Sequence, residues 1–577
     1  MEETITKKSP NWKVFLPVIA VLFLTIITYW PLVNASFVKF DDDIYVVENQ
    51  HVIDFDVQSF FSQHTHGHYQ PLTMLSYSMQ AKLGGGPSGF HIFNLLLHLL
   101  TVVLVFLLIR KLVVNAGIAW LCALLFALHP IHVESVAWIS ARNNLLSSLF
   151  LIAGLLTYLR YVEKDRTFKW LIFTFLLFLG AVMSKSLAVT FPLLMFVFDF
   201  IRKRRLSLKS IVEKIPFALI AVFFAWLAMK NAGEIGSVND SVLAYSMANR
   251  AFMIVYAYVF YICWFIFPLD LSVVHYNPFL NEGSLPVLYY LAPLALLIPI
   301  ILLIRMKSSR RQIFWGFAFY FISISLTVQF VPVGNVIVSE RYAYFPHVGL
   351  LIVLSFLFLT ISRKANFQKI KPFALVVLLF FISLFAYRTN SRARAWENSD
   401  TLFQSMIDDY PEDFYGYMAM GNLCKMRNEF PEAIGYFDKS IFYDSAKPEL
   451  YNNRGLCKME TGDWGGALFD FTKLIQLEPE SHKGYYNRGI TKYFMNNPEA
   501  AIPDLDTALM INPDLVRALL FRGNSYFVLG DTLKACSSWM SAGIQGVQEA
   551  KDNLEKYCIN QADTSRSVIG APNQLKN

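Results

Sequence analysis

An all-α fold is predicted for this chain: a polytopic membrane helical bundle followed by a C-terminal α-solenoid. Three observations predict it. The 577 residues are 55% hydrophobic and only 16% charged, with a mean hydropathy of +0.41, whereas a soluble protein carries about 25% charge. Apolar runs separated by short polar connections succeed one another over residues 14–387. Beyond them, Gly421, Gly455, Gly489 and Gly523 recur every 34 residues. An alanine follows each by twelve positions (Ala433, Ala467, Ala501, Ala535) and a bulky apolar residue by sixteen (Phe437, Phe471, Leu505, Trp539). That period describes a helix–turn–helix unit in which small residues let paired helices approach closely.

The apolar runs come first. Twelve lie near 14–33, 91–109, 117–131, 143–159, 168–183, 186–201, 214–229, 249–268, 286–304, 312–331, 346–361 and 372–387, several of them shorter than the ~20 residues a spanning helix needs. The first follows Lys7, Lys8 and Lys13. It is long for a signal peptide and lacks a small-residue cleavage site, so it reads as a retained span. Basic clusters at 110–111, 160–169, 202–205, 305–311 and 363–371 read as cytoplasmic. The segments 34–90, 129–142, 184–186 and 332–345 then face the other side. Three runs fall between the clusters at 202–205 and 305–311, where only an even number can span, so 249–268 is expected to be re-entrant or to lie along the interface. That leaves about 11 spans and an extracytoplasmic repeat domain, with Arg388, Arg392 and Arg394 as the signal against it. The short loops and composition point to a bacterial inner membrane with the repeats on the periplasmic side.

The repeats are of tetratricopeptide type. Stepping back 34 residues from Phe437 reaches Phe403, so Trp396–Tyr410 reads as the second helix of a degenerate first repeat. The domains expected are a membrane domain over 1–390 with its first extracytoplasmic loop at 34–90, a half repeat over 391–412, four repeats over 413–558 and a polar tail over 559–577. Six cysteines without a CxxC pair read as buried free thiols, not as a metal or disulfide framework. The net charge of +7 resides in clusters that flank apolar segments, which points to a membrane and to no nucleic acid.

Chemistry concentrates in the outward connections. The first opens with Asp41-Asp42-Asp43 immediately beyond a span. Carboxylates there suit a general base or ligands to a divalent metal such as Mg or Mn, with a solvated loop start as the alternative. The same loop carries His64, His66 and His68, a possible metal set on a loop of no fixed geometry. His91, Asn94 and His98 share one face of the second span. They either line a polar cavity or bond neighbouring helices. The remaining connections bring His132, Glu134 and Arg142, then Lys185, then Glu340-Arg341-Tyr342. Acids near the first span and cations elsewhere on one face suit a base that activates an acceptor and cations that neutralise a departing phosphate. Structural ion pairing is the competing account for any single member.

With those residues in hand, the chain resembles the transmembrane and tetratricopeptide-repeat O-mannosyltransferase-like family of the GT-C superfamily, over nearly its whole length. The resemblance is carried by Phe40-Asp41-Asp42 with Tyr45 and Asn49, by Tyr69-Gln70-Pro71-Leu72 and by the run from Gly89 to His98. His129-Pro-Ile-His132-Val-Glu134 through Trp138, Ser184-Lys185, Glu340-Arg341-Tyr342 and the repeats complete it. It implies a GT-C type membrane bundle and a sugar on a polyprenyl phosphate as donor. It implies a protein or peptide hydroxyl, or another glycan, as acceptor. Asp41 is then the catalytic base of an inverting displacement, assisted by Asp42 through a metal or by orienting the acceptor. Arg341, Lys185 and Arg142 are candidates for the lipid phosphate, and His91, Asn94, His132, Glu134, Glu340 and Tyr342 would line the cavity. The family commonly has Arg at the position of Gln70, Glu at Ser186 and Ser at His347. The solenoid would present an extended acceptor peptide, with Asn453 and Asn487 as backbone clamps. The alternatives are a non-catalytic scaffold that recruits periplasmic partners through its repeats, and a transferase acting on a glycan or lipid.

Overall fold

The computed structural model describes residues 16–163, 167–234, 246–269, 271–276, 284–328, 336–363 and 367–559. The basic N-terminal residues and all but the first residue of the polar tail lie outside them. The described chain is almost wholly helical, with one two-stranded antiparallel pairing of His275–Tyr276 with Val336–Val338. It divides into two compact units, Met1–Leu402 and Phe403–Asn577.

In the first unit every apolar run forms helix over most of its described residues. Six helices among the described residues are long and apolar enough to cross a membrane: Pro87–Val113, Ile139–Glu163, Leu208–Asn231, Met247–Ile266, Val287–Arg305 and Phe367–Ala395. A seventh arises if the bent pair Ala116–Ala127 and Pro130–Ala137 counts as one span. Leu16–Thr28, Phe168–Ser184, Ser186–Ile201 and His347–Ser362 are apolar but shorter. The protein is thus an integral membrane protein. Met247–Ile266, one expectation for which was a re-entrant segment, is a single unbroken helix of 20 residues. The break falls instead at Leu128–His129, ahead of Pro130, and bends the chain by 54°. A proline lacks the N–H that would continue the helix, and the bend delivers His132 and Glu134 into a buried segment.

Pro87–Val113 shows how local sequence sets these ends. Gly86 precedes Pro87 at the first helical position, and Arg110 and Lys111 sit in the last turn against the negative end of the helix dipole. Its apolar window is 61% buried inside the protein, as is that of Ile139–Glu163, whereas that of Phe367–Ala395 is 6% buried. The first two form the centre of the unit, and the last presents its apolar side chains outward. Helices Arg310–Ile324 and His347–Ser362 meet at Gly316 and Gly349, where a Cβ on Gly349 would come within 2.7 Å of the Tyr320 nitrogen. Small residues at such crossings let backbones approach.

Two basic groups read as topology signals are drawn into ion pairs. Arg204 and Lys214 are buried with Asp199 and Glu213, Lys214 lying 2.7 Å from Asp199. Arg392 donates to Glu340 at 3.0 Å and to the Leu271 carbonyl at 2.8 Å. An arginine held this way is there for its partner, which accounts for a basic residue after the last span without appeal to sidedness.

The second unit contains helix pairs from Phe414–Met426 with Phe430–Tyr443 through Val516–Val528 with Thr532–Ile544, then Gln548–Leu554 and a closing turn, Glu555–Ile559. Each repeat glycine faces the bulky residue sixteen positions on. A Cβ at Gly455 would lie 2.8 Å from the Phe471 ring, and one at Gly523 2.5 Å from Trp539. The four alanines are fully buried. One expectation is corrected here: Cys536 and Cys558 form a disulfide, while Cys122, Cys424 and Cys457 are free and buried and Cys263 is free and exposed. The linked pair is 22 residues apart, and only the closing turn brings the two thiols together.

Two glycines in the same solenoid are expected to respond oppositely to alanine. Gly523→Ala forces a methyl into the Trp539 ring, and overpacking of this kind costs about 1–3 kcal/mol. Gly435, in mid-helix with nothing within 4 Å of a Cβ, gains about 0.5–1 kcal/mol in helix propensity. Thermal unfolding of the two variants, followed by circular dichroism, checks both signs.

Candidate active site

The site begins with how the chain leaves its first helix. After the turn Trp30–Asn34 the chain leaves extended at Ala35 and turns at Lys39–Phe40. The carbonyl of Phe40 accepts the Trp138 indole N–H at 2.7 Å. Asp42 is fully buried and accepts three hydrogen bonds: from the Val38 N–H at 3.1 Å, the Ser140 N–H at 3.0 Å and the Ser140 hydroxyl at 2.6 Å. Burial pushes its carboxyl up to about 7, against the lowering effect of those donors. Tyr77 reinforces the join by donating to the Ile139 carbonyl at 2.7 Å. The loop's own core of Tyr45, Val46, Val52, Phe60, Met74 and Tyr77 packs against Phe90 and Ile139.

Asp41 sits between these two anchors, and its backbone is forced to φ +74°. A non-glycine residue there is strained by about 1–2 kcal/mol. Such strain persists only where surrounding contacts over-determine it, and it collects at functional sites. The three acids thus separate. Asp42 is an internal brace, and Asp43 lies 3.6 Å from the Lys39 ammonium. Asp41 keeps an exposed carboxylate that bonds to no described residue. Crowding around that carboxyl strips enough water to raise its pKa, and nearby Arg341 opposes the rise.

The cations come from other connections. Arg341 donates to buried Glu134, from its backbone N–H at 2.6 Å and from its guanidinium at 2.5 Å. It lies over the rings of Trp138 and Tyr342, 5.1 and 5.0 Å from their centroids. Burial favours the neutral form, but Glu134 outweighs it and keeps the guanidinium charged. Lys185 is half-buried, donates to Asn144 and sits 5.2 Å from the Tyr342 ring. Burial first, and Arg341 second, lower its pKa to about 7. His68 stands in the same field; burial, then Lys185 and Arg341, lower its ring to about 4. Trp138 stacks on Trp396 at 5.9 Å, and Phe40 lies 5.2 Å from Trp138, which closes an aromatic wall beside Asp41.

The structure therefore brings Asp41, Lys185, Arg341, Tyr342 and Glu134 together and assigns several others to different work. Arg142 is fully buried, donates to Asn94 at 2.8 Å and to Gln80 at 2.9 Å, and lies among Tyr77, Phe90 and Phe93. It is a packing arginine with no face left for a lipid phosphate. His91 bonds to the Ser36 carbonyl, Asn94 to those of Val136 and Trp138, and His98 to that of Ala127 and to the Tyr344 hydroxyl. The stripe is interhelical hydrogen bonding. His132 lies 3.2 Å from His347, and Glu340 is bound to Arg392. Asp42 spends both oxygens within the protein, and among the described residues no group of three His, Cys, Asp or Glu could hold a metal ion. Of the two acids named as possible metal ligands, Asp41 and Asp42, only Asp41 presents an open carboxylate.

In the solenoid, Asn453 donates to Asn422 at 3.0 Å and Asn487 donates to Asn452 at 2.9 Å. Their amides stitch successive repeats together. A stronger periodic set went unread: Arg454, Arg488 and Arg522, spaced by 34, each donate to an aspartate, Asp470 at 2.9 Å, Asp504 at 2.8 Å and Asp506 at 2.9 Å. Trp396 and Asn144 also went unread as site residues. The only signal for Trp396 was a lone tryptophan just beyond the last span.

Fold and site define a class: a helical integral membrane protein, carrying one open acid in the field of Arg341 with Lys185 near that arginine, joined to a tetratricopeptide-repeat solenoid. The family described as dolichyl-phosphate-mannose-protein mannosyltransferase matches residues 71–229. Protein O-mannosyl-transferase F38B6.6 of Caenorhabditis elegans is 24% identical, over 69% of this chain and 59% of its own. Protein O-mannosyl-transferase TMTC3 of Homo sapiens is 24% identical, over 89% of this chain and 62% of its own. The chain spans about three fifths of the length of these relatives. Among solved structures, YrrB, a TPR protein with an unusual peptide-binding site, is 21% identical with a TM-score of 0.25, over 29% of this chain and 95% of that one. The chain is similar to the transmembrane and tetratricopeptide-repeat O-mannosyltransferase-like proteins.

Neighbouring acids should respond in opposite directions. Asp42→Ala leaves the Val38 and Ser140 donors unmatched and is expected to lower stability by about 2–5 kcal/mol, since each orphaned buried group costs about 1–3. Asp41→Gly relieves the left-handed backbone and is expected to raise stability by about 1 kcal/mol. Thermal unfolding of the purified protein measures both.

Proposed function

We propose that this chain is a membrane glycosyltransferase of GT-C type that moves a sugar from a polyprenyl-phosphate donor to a protein or peptide hydroxyl. The observation that carries the reading is Asp41: a strained, open carboxylate in the field of Arg341, with Lys185 in the field of the same arginine. In the reaction the acceptor oxygen attacks C1 of the sugar while Asp41 takes the hydroxyl proton. The bond from C1 to the phosphate oxygen breaks, and the electron pair leaves on the polyprenyl phosphate. The new bond forms opposite the old one, so C1 inverts. Arg341 and Lys185 neutralise the departing phosphate, which is where charge develops. Glu134 holds Arg341 in place, and the Trp138–Trp396 wall keeps water from the acceptor side.

The relatives named as protein O-mannosyl-transferases favour a protein acceptor. The Cys536–Cys558 bond favours an oxidising compartment for the solenoid, in keeping with repeats on the extracytoplasmic side that present the acceptor. A scaffold would have no use for an open acid in the field of Arg341.

Two measurements test the reading. Asp41→Asn is expected to reduce transfer of labelled sugar from membrane polyprenyl-phosphate donors by about 10²–10⁴-fold, the contribution of a positioned base. Wild-type rates in the variant at equal expression would sink it. The pH profile carries a second signature. Transfer needs Asp41 ionised and Lys185 protonated, so the rate rises as pH passes the raised carboxyl pKa and falls as pH passes about 7, where Lys185 loses its proton. Lys185→Arg should remove the falling limb near neutrality. A fall that persists in that variant assigns it to another group.

A further inference from the structure

The first connecting loop contains a cavity that the transfer chemistry above leaves unassigned. Its volume is about 210 Å³, and Phe60, Met74, Gln63, Thr65 and His66 are among its lining residues. Pockets for drug-sized ligands run to about 300–1,000 Å³, so this one suits a single ring or a short side chain. No Asp, Glu, Lys or Arg is among its lining residues, and a neutral, polar ligand fits such a wall best.

Some lining groups are already committed. Asn49 caps Gln50–Asp54 by accepting the Val52 N–H, and the Ser59 hydroxyl donates to Asp56. The side chains of Gln63 and Thr65 bond to no described residue. The hairpin that carries Thr65 and His66 is preformed. Thr65 and His68 exchange backbone hydrogen bonds of 3.1 and 3.0 Å, His66 and Gly67 adopt φ +47° and +76°, and the Gly67 N–H donates to His64 at 3.2 Å. A wall built before the ligand arrives keeps the ordering cost of binding low.

The cavity flanks the open acid. The His66 ring lies edge-on to Tyr45 at 6.0 Å, the Tyr45 N–H donates to the Asp41 carbonyl at 3.0 Å, and His66 lies within electrostatic reach of the Asp41 carboxylate. We infer that this cavity seats the sugar ring of the donor. Gln63, Thr65 and His66 hydrogen-bond its hydroxyls, while Phe60 and Met74 cover a C–H face. C1 then points toward Asp41, and the phosphate lies on the side of Lys185 and Arg341. The inference rests on the reading of Asp41 as the base.

The test is saturation-transfer NMR on the full-length protein in detergent, with methyl α-mannopyranoside, methyl α-glucopyranoside and methyl α-galactopyranoside as probes and a serine tripeptide amide as comparison. At least one glycoside should receive saturation. Gln63→Ala with Thr65→Val should weaken its affinity about tenfold or more, the loss of two neutral hydrogen bonds. His66→Phe keeps the packing on Tyr45 and should weaken it too. Asp41→Asn should leave glycoside binding intact while transfer is lost. Saturation of no glycoside, equal affinity in the variants, or saturation of the tripeptide alone would overturn the assignment. Intact glycoside binding together with wild-type transfer in Asp41→Asn would sink the catalytic reading and leave the cavity a sugar site.

Discussion

The buried carboxylate of Asp42 is the constraint on which the site depends. It joins two connections 98 residues apart in sequence by accepting from Ser140 twice and from Val38 once. Because it is fully enclosed, its geometry cannot drift without orphaning donors, and each orphan is costly in a low-dielectric interior. The Trp138 bond to Phe40 holds the chain on the other side of Asp41. With both flanks held, Asp41 takes its strained conformation as a consequence, not as a local preference.

Charge is arranged by the same logic of braces and open groups. Arg341 is half-neutralised by Glu134, Arg392 by Glu340, and Arg204 and Lys214 by Asp199 and Glu213. Charges taken out of water need partners of this kind. Lys185 lacks a carboxylate of its own and has Asn144 and an aromatic face instead. That difference is why burial lowers its pKa to about 7 while Arg341 stays charged.

The solenoid was legible because a repeat advertises its contacts. Glycine, alanine and a bulky residue at fixed offsets encode the very packing seen between Gly455 and Phe471 or Gly523 and Trp539. The apolar runs were legible for a similar reason, since each is a local property of composition. The site was legible only in part. Residue types flagged Asp41, Lys185 and Arg341, but they could not tell a brace from an open acid. Asp42 differs from Asp41 through Ser140, which no local pattern links to it. Arg142 carries the same charge as Arg341, yet Tyr77, Phe90 and Phe93 from distant turns enclose it. The Cys536–Cys558 pair was not legible because a separation of 22 residues carries no spacing signal.

That disulfide has a further consequence for the array. In a stack whose members touch only their neighbours, the ends fray first, and loss of the last unit exposes the next. Here the last repeat among the described residues is bonded covalently to the turn that follows it, whose Tyr557 packs on Trp539 and Phe527. Linking residues about twenty apart contributes roughly 3 kcal/mol by chain entropy, placed at the junction between this repeat and the turn. A protease or an extending force therefore meets more resistance at this junction than at one held by packing alone.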